Sequence, residues 1–300
     1  MSRTFEILRS AVDEKEGNGA RSGGAEWILG EPIREAPEPA FTDGVTSTKI
    51  VLPYADGWSK SWRERLKGFV FGWNLGCRPN YRIVALEKGS PSAEQYKILR
   101  EQVKKLHDRT GARCVSITSP VKAEGKTSVA VNLAAAIALT YEQQVLLIDG
   151  DLRSPEIHRY FGIRPTPGLA DYLSSSSNGD LMSYVQDTFL PSLRSLPAGG
   201  RSDRPSELLK KEKMKNLMDE IRARLPGHQI IVDTPPVLST PDPLVLAKQV
   251  EGIIMVIRAG KTPREYLFKA VQSLNSAKVM GIVLNSVDPG MASKYYYYSR

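Results

Sequence analysis

Cys114-Val-Ser-Ile-Thr-Ser-Pro-Val-Lys-Ala-Glu-Gly-Lys-Thr127 joins a five-residue apolar run to a helix-like run through a turn that holds Gly125, Lys126 and Thr127. A strand that stops in such a turn and restarts as a helix points backbone N–H groups and a helix N-terminus at one spot, where an anion is favoured. Lys126 is placed to reach the β and γ phosphates of a nucleotide, and the Thr127 hydroxyl to hold Mg²⁺.

Two further stretches carry the same logic: Leu146-Leu-Ile-Asp-Gly-Asp-Leu-Arg153 and Ile230-Ile-Val-Asp-Thr-Pro-Pro236. Each is an apolar run that ends in carboxylate, which suits a buried parallel strand with Asp149, Asp151 or Asp233 at its carboxyl end. Mg²⁺ takes one or two carboxylates, a hydroxyl, waters and substrate phosphates, so Thr127, Asp149, Asp151 and Asp233 form a sufficient donor set. Three unrelated core strands with acidic ends would look similar singly, but their order and spacing suit consecutive βα units.

The 300 residues are 41% apolar, ample for a buried core in one large or two small domains. No run approaches the roughly 18 apolar residues of a membrane span, and the N-terminus lacks the charge, apolar core and cleavage pattern of a signal peptide. A soluble, cytoplasmic protein is expected. Cys77 and Cys114 form no metal-spaced pair, Cys114 sits in a strand-like run that favours burial over reactivity, and the scattered His107, His158 and His228 are each read as structural. The net charge of +8 admits an acidic partner without choosing between nucleic acid, anionic lipid and nucleotide.

From Arg113 onward, strand-like runs near 113–118, 144–149, 193–197, 229–233, 252–257 and 279–284 alternate with helix-like runs near 126–140, 155–161, 206–224, 242–248 and 263–277. This predicts an α/β fold, a parallel central sheet with helices on both faces and a ligand at the carboxyl ends of its strands. Ahead of it, Pro91 opens a helix to about Asp108, with Ser90 as cap and Glu94 in its first turn. The chain divides into an extension over 1–89, a globular domain over 90–286 and a tyrosine-rich tail over 287–300. The extension reads as largely irregular, its first 45 residues lacking apolar periodicity. Within it, Trp58, Trp62, Leu66, Phe69, Val70 and Trp73 fall on one helical face opposite Lys60, Arg63 and Lys67. That segment, 58–73, is suited to an anionic membrane surface, a partner, or the chain's own domain.

Over residues 81–300 the chain resembles the bacterial tyrosine kinases, P-loop autokinases linked to capsule and exopolysaccharide synthesis. The family's second motif, three apolar residues then Asp-x-Asp-x-Arg, matches Leu146 to Arg153; its third, three apolar residues then Asp-x-x-Pro, matches Ile230 to Pro236. Pro205-Ser-Glu-Leu-Leu209 agrees as well, and Asn285 looks like the adenine-side residue of related ATPases. The family's Glu-x-x-Arg-x-x-Arg, used for ring assembly, reads Glu94-x-x-Lys97-x-x-Arg100 here. Lysine keeps the charge but loses the planar fork, which weakens such a contact; the same spacing also occurs on ordinary solvated helices. Tyr295, Tyr296, Tyr297 and Tyr298 look like the family's autophosphorylation cluster.

The resemblance implies a P-loop NTPase-type domain that transfers the γ-phosphoryl group of ATP, with Mg²⁺, to tail tyrosines of a neighbouring subunit. Lys126, Asp149, Asp151 and Arg153 would be catalytic. Lys122, Ala123, Glu124, Gly125, Lys126, Thr127, Ser128 and Asn285 would bind the nucleotide. Implied partners are further copies of the chain in a ring or dimer, and a membrane adaptor, the polysaccharide chain-length regulator, that keeps the kinase at the inner face of the membrane. No nucleic acid is expected. One departure concerns Ala123, which stands where the family usually has glycine; if the position needs positive φ, alanine costs roughly 1 kcal/mol or more. Two rivals stay open: a partition or positioning ATPase of the same fold, which the tyrosine tail and the lack of a lysine at Val121 argue against, and a catalytically silent nucleotide-binding scaffold.

Overall fold

The computed structural model describes residues 49–53, 81–140, 143–175, 180–200, 202, 204–209, 211–274 and 278–287. The basic aromatic segment 58–73, Cys77 and the tyrosines 295–298 lie outside them. Eight strands form one sheet: β1 (Lys49–Pro53), β2 (Cys114–Thr118), β3 (Val145–Asp149), β4 (Gln186–Asp187), β5 (Leu193–Leu196), β6 (Gln229–Asp233), β7 (Gly252–Arg258) and β8 (Val279–Val287). Their order across the sheet is β1-β8-β7-β2-β6-β3-β5-β4, and every pairing is parallel except β4 with β5. Chain connections leave β2 toward β3 on one side, and β6 returns to β7 on the other. The order therefore reverses at β2, and in a parallel sheet the crevice at such a reversal is where ligands bind.

Alternation along each central strand fills two cores. Val115, Ile117, Val145, Leu147, Ile231, Ile254 and Val256 pack on one face, and Cys114, Leu146, Ile148, Ile230, Val232, Ile253 and Met255 on the other. The apolar runs are continuous because both faces are covered. Helices α1 (Pro91–Thr110), α2 (Lys126–Ala138) and α3 (Ile157–Phe161) contribute to the first core; α4 (Leu169–Ser174), α6 (Lys211–Arg224), α7 (Asp242–Leu246) and α8 (Arg264–Ser273) contribute to the second. Among the described residues no helix is long and apolar enough to cross a membrane.

The expected strands from 113 to 284 and the helix opened by Pro91 are present within a few residues of their sequence positions. Ser90 caps α1 by accepting from the Ala93 N–H at 3.1 Å, and Gly111 ends it in the left-handed conformation, φ 71°. The helix-like run 206–224 is two helices, α5 (Pro205–Leu208) and α6. One continuous helix would carry Leu209 about 140° around the axis from Met214. The break lets Leu209 join Met214, Leu217, Met218 and Ile221 in the same core.

The folded unit takes in chain ahead of residue 90. β1 pairs with the β8 edge, Lys49 opposite Ile282. Tyr81 stacks on Tyr160 with centroids 4.8 Å apart. The 3₁₀ turn Val84–Leu86 is stitched to α2 by Asn132, whose Oδ1 accepts from the Ala85 N–H at 2.9 Å while its Nδ2 donates to the Ser128 carbonyl at 2.8 Å. Asn132 is fully buried. Asn132→Ala leaves the Ala85 N–H without its partner, and chemical denaturation is expected to show a loss of about 1–3 kcal/mol with an unchanged denaturant slope.

Candidate active site

Register brings the two motif aspartates together: β3 and β6 are aligned so that Asp149 faces Asp233 across the ladder. The end of β2 lies beside β6, and the turn that follows stays zipped to it. Thr234 N–H donates to the Ile117 carbonyl at 3.0 Å, Val237 N–H to Ser119 at 2.8 Å and Leu238 N–H to Pro120 at 3.1 Å. Held this way, the turn delivers Thr127 Oγ1 to within 2.6 Å of Asp233 Oδ2. Lys126 Nζ sits 2.7 Å from Asp151 Oδ2, 3.2 Å from Thr127 Oγ1 and 3.8 Å from Asp233 Oδ2. Gly150 makes the convergence geometrically feasible. Its N–H donates to the Asp233 carbonyl at 2.8 Å, and a Cβ there would lie 2.7 Å from that same oxygen.

The turn itself is tightly wound. Gly125, at φ 87°, starts α2, and the first intrahelical bond is Val129 N–H to the Gly125 carbonyl, which leaves the N–H groups of Lys126, Thr127 and Ser128 free of intrahelical partners. Ala123 has φ 63°, so the departure noted in the sequence does fall on a left-handed position. Alanine there costs roughly 1–2 kcal/mol relative to a right-handed conformation. Asn285 closes over the turn: its Nδ2 donates to the Glu124 carbonyl at 2.8 Å, and a Cβ on Gly125 would lie 2.1 Å from it.

Burial dominates the electrostatics. Asp149 and Asp233 are fully buried and Asp151 nearly so. Desolvation, reinforced by the Asp233 charge, pushes the Asp149 carboxyl well above the usual range, although the Ile157 N–H bond pulls it back. Desolvation lifts Asp233 to about 6 against the opposing pull of Lys126 and Thr127. Burial works against the Lys126 charge, but Asp233 and Asp151 outweigh it and keep the ammonium firmly protonated. Among the described residues no group of three or more His, Cys, Asp and Glu side chains could hold a metal alone. A cation that draws part of its shell from phosphate oxygens is a different case. Asp233 Oδ1 is buried without a partner, and Thr127 Oγ1 lies beside its other oxygen. That donor set fits Mg²⁺ held jointly with a nucleotide.

No protein-family model matches the chain. Tyrosine-protein kinase YwqD of Bacillus subtilis is 34% identical over 228 residues, covering 75% of this chain and 94% of the relative. The chain belongs to the bacterial tyrosine kinase family. The putative tyrosine-protein kinase EpsB of Ralstonia nicotianae is 33% identical over 225 residues, and the chain spans 29% of that longer relative. The solved kinase domain of Escherichia coli ETK superposes with a TM-score of 0.66 at 27% identity, covering 80% of this chain and 90% of the domain. Protein-tyrosine kinase activity comes with this membership.

Other residues singled out in the sequence have varied placements in this kinase. Asp149 accepts from the Asp151 N–H at 3.3 Å and the Ile157 N–H at 3.1 Å, so it also shapes the loop after β3. Arg153 turns away from Lys126. Its Nε donates to Asp242 Oδ2 at 2.8 Å and its Nη2 to Ser206 Oγ at 2.8 Å, while Ser206 Oγ donates to Asp242 Oδ1 at 2.6 Å. The Ser128 side chain bonds Tyr96 and Tyr160 and is thereby engaged within the protein. Lys122 is exposed. Glu94 and Lys97 pair at 2.6 Å on the open face of α1, whereas Arg100 pairs with Glu101 at 2.7 Å and reaches the Ala136 carbonyl. Cys114 is buried in β2. His107 Nδ1 lies 3.1 Å from the Ala112 carbonyl, to which it can only donate.

Asp242, Ser206 and Thr262 were not legible as parts of this region. Asp242 opens α7 and Thr262 sits in the β7–α8 connection, neither within a motif, and Ser206 was visible only within Pro205-Ser-Glu-Leu-Leu209. Thr262 Oγ1 donates to Glu124 Oε1. Glu124 is 4% exposed, and burial lifts its carboxyl to about 7 against the pull of that bond. The folded chain keeps a proton on Glu124 where the unfolded chain, with an ordinary carboxyl value of 4.5, has released it. The contribution of Glu124 to stability is therefore full below about pH 4.5 and declines as pH rises through about 7. Glu124→Gln cannot ionise. Its unfolding free energy, measured by denaturation from about pH 5 to 8, is expected to gain on the wild type by on the order of 2 kcal/mol.

Proposed function

We propose that this kinase transfers the γ-phosphoryl group of ATP to Tyr295, Tyr296, Tyr297 and Tyr298 of a neighbouring copy, and that this reaction regulates capsule or exopolysaccharide synthesis. The observation that carries the reading is the convergence of Asp151, Thr127 and Asp233 on Lys126 Nζ, at 2.7, 3.2 and 3.8 Å, at the ends of β2, β3 and β6. Phosphoryl transfer of this kind asks little covalent chemistry of the protein. Positioning and charge neutralisation do most of it.

The free N–H groups at the start of α2 cradle the phosphates, and Lys126 leaves its pairing with Asp151 to lie along the β and γ oxygens. Thr127 and Asp233 would hold Mg²⁺, with Asp151 beside them; the ion would supply neutralisation of the charge that builds on the transferred group. The tyrosine oxygen attacks the γ-phosphorus as the bond to the β-bridging oxygen breaks, and ADP departs. The phenolic proton passes to Asp149, whose burial raises its proton affinity toward that of a useful base. Asn285 has committed its Nδ2 to Glu124, so its amide oxygen is the atom positioned to accept from an adenine amine. Arg153, fixed by Asp242 and Ser206, borders the path of the incoming tail.

The family resemblance supplies the rest of the proposal. A membrane adaptor recruits and activates the kinase at the inner face of the membrane, with the basic aromatic segment 58–73 engaging either the adaptor or anionic lipid. Glu94, Lys97 and Arg100 contribute to contacts between copies. The decisive experiment is mass spectrometry of the full chain after incubation with Mg²⁺-ATP, mapping phosphate on residues 295–298. Lys126→Met and Asp149→Asn are each expected to lower incorporation by on the order of a hundredfold. Unchanged tail phosphorylation in Lys126→Met would sink the proposal, and a wild type that binds ATP without modifying its tail would favour the scaffold reading.

A further inference from the structure

The end of β7, the connection after it and the start of α8 carry three cations, Arg258, Lys261 and Arg264. Arg258 is partly exposed, and Lys261 and Arg264 are exposed. Basic side chains on other helices have carboxylate partners: Lys97 with Glu94 and Lys104 with Asp108 on α1, Arg222 with Asp219 and Arg224 with Glu220 on α6. Among the described residues neither Arg258 nor Lys261 forms an ion pair, although Glu265 stands four positions after Lys261. Arg264 holds its guanidinium 5.1 Å from the centre of the Phe268 ring, a contact that orients it without neutralising it. The result is a local excess of positive charge, two of its members able to grip phosphate with a planar fork.

This cluster is fastened to the strand from which the tail departs. Arg258 is the register partner of Asn285, and the Ala259 N–H donates to the Asn285 carbonyl at 2.8 Å. β8 ends at Val287, and only residues 288–294 separate it from Tyr295. At about 3.3–3.6 Å per residue that length spans at most roughly 25–29 Å, enough to fold back over Arg258 and the few residues that follow it. A ligand on so short a tether acts at an effective concentration on the order of millimolar. Charge decides when it binds. Asp288, Lys294 and Arg300 give the unmodified tail a side-chain charge of +1, which the cluster repels. Phosphate on all four tyrosines changes that to about −5 to −7, so modification reverses the sign of the interaction.

We propose that Arg258, Lys261 and Arg264 form a docking site for the phosphotyrosines of the chain's own tail, so that a modified tail is held on the subunit that carries it. The inference rests on the tail phosphorylation proposed above and goes beyond it by giving the reaction product a place. A tail docked there is withheld from a neighbour's active site, and the subunit that carries it is spent as a donor of acceptor tyrosines.

The test uses the full chain with Tyr295→Phe, Tyr296→Phe, Tyr297→Phe and Tyr298→Phe, and a fluorescein-labelled synthetic peptide of residues 288–300 that carries four phosphotyrosines. Binding, followed by anisotropy, is expected to weaken about tenfold when Arg258→Gln, Lys261→Gln and Arg264→Gln are combined, and at least about tenfold when the peptide is unphosphorylated. It is expected to survive both Lys126→Met and saturating Mg²⁺-ADP. Lys261→Gln with Arg264→Gln alters exposed side chains alone; its expected loss of about fivefold keeps the test if the triple variant folds poorly. In the wild-type chain after exhaustive phosphorylation, trypsin is expected to cut after Lys294 at least about threefold more slowly than in the equally phosphorylated triple variant, by a factor independent of protein concentration. Unchanged affinity in the Gln variants, displacement by Mg²⁺-ADP, or equal cleavage rates overturn the proposal. So does protection that rises with protein concentration, which puts the modified tail on another copy. Each of these leaves tail phosphorylation standing, because the peptide is synthetic. A wild type that puts no phosphate on its tail overturns that reading, and this inference with it.

Discussion

Two carboxylates buried side by side at the ends of adjacent parallel strands are the constraint around which this domain is arranged. Asp149 and Asp233 are register partners, both inaccessible to water, and neither would be tolerated ionised without compensation. Lys126 and Thr127 supply it, arriving on the turn after β2 because β2 lies next to β6 in the sheet. The strand order that sets β2 against β6 and β6 against β3 therefore fixes which charges meet. Each ingredient on its own would be destabilising: an acidic strand end, a part-buried lysine, a left-handed alanine. Together they form a site whose cost the two large apolar cores can offset.

Compensation is also what makes such a site responsive. Lys126 is paired with Asp151, and one oxygen of Asp233 has no partner, so an incoming charged group would exchange existing contacts rather than add contacts to a finished network. Asp149 stands apart because both its oxygens accept backbone N–H groups from the following loop. That gives its carboxyl a fixed orientation.

The parts of the fold carried by long apolar runs were readable because a strand buried on both faces leaves little else that the sequence could mean. Cys114–Thr118, Val145–Asp149 and Gln229–Asp233 are such cases, and the three site motifs ride on their ends. Lys49–Pro53 was not readable as part of the sheet, since five residues carry no periodicity of their own and their place is set by the open edge of β8. The break at Leu209 was hidden because residues 206–224 hold no glycine or proline to mark it, and the misplacement of Leu209 on a continuous helix shows only once the core is known. At the site, charge-bearing residues announced themselves through motif spacing, whereas Thr262 and Asp242 did not. Their partners, Glu124 and Arg153, lie 138 and 89 positions away, and no local pattern encodes such a bond. Arg153 shows the converse: its motif was plain, but its direction depended on Asp242 and Ser206.

The stitch between Ala85 and Asn132 gives the segment before α1 a mechanical role. Asn132 grips that segment with one end of its amide and the carbonyl of Ser128 with the other, and Ser128 belongs to the first turn of α2. Residues 81–86 and the first turn of α2 are thus joined in two ways, through this one amide and through the stack of Tyr81 on Tyr160, so neither can shift without the other being felt.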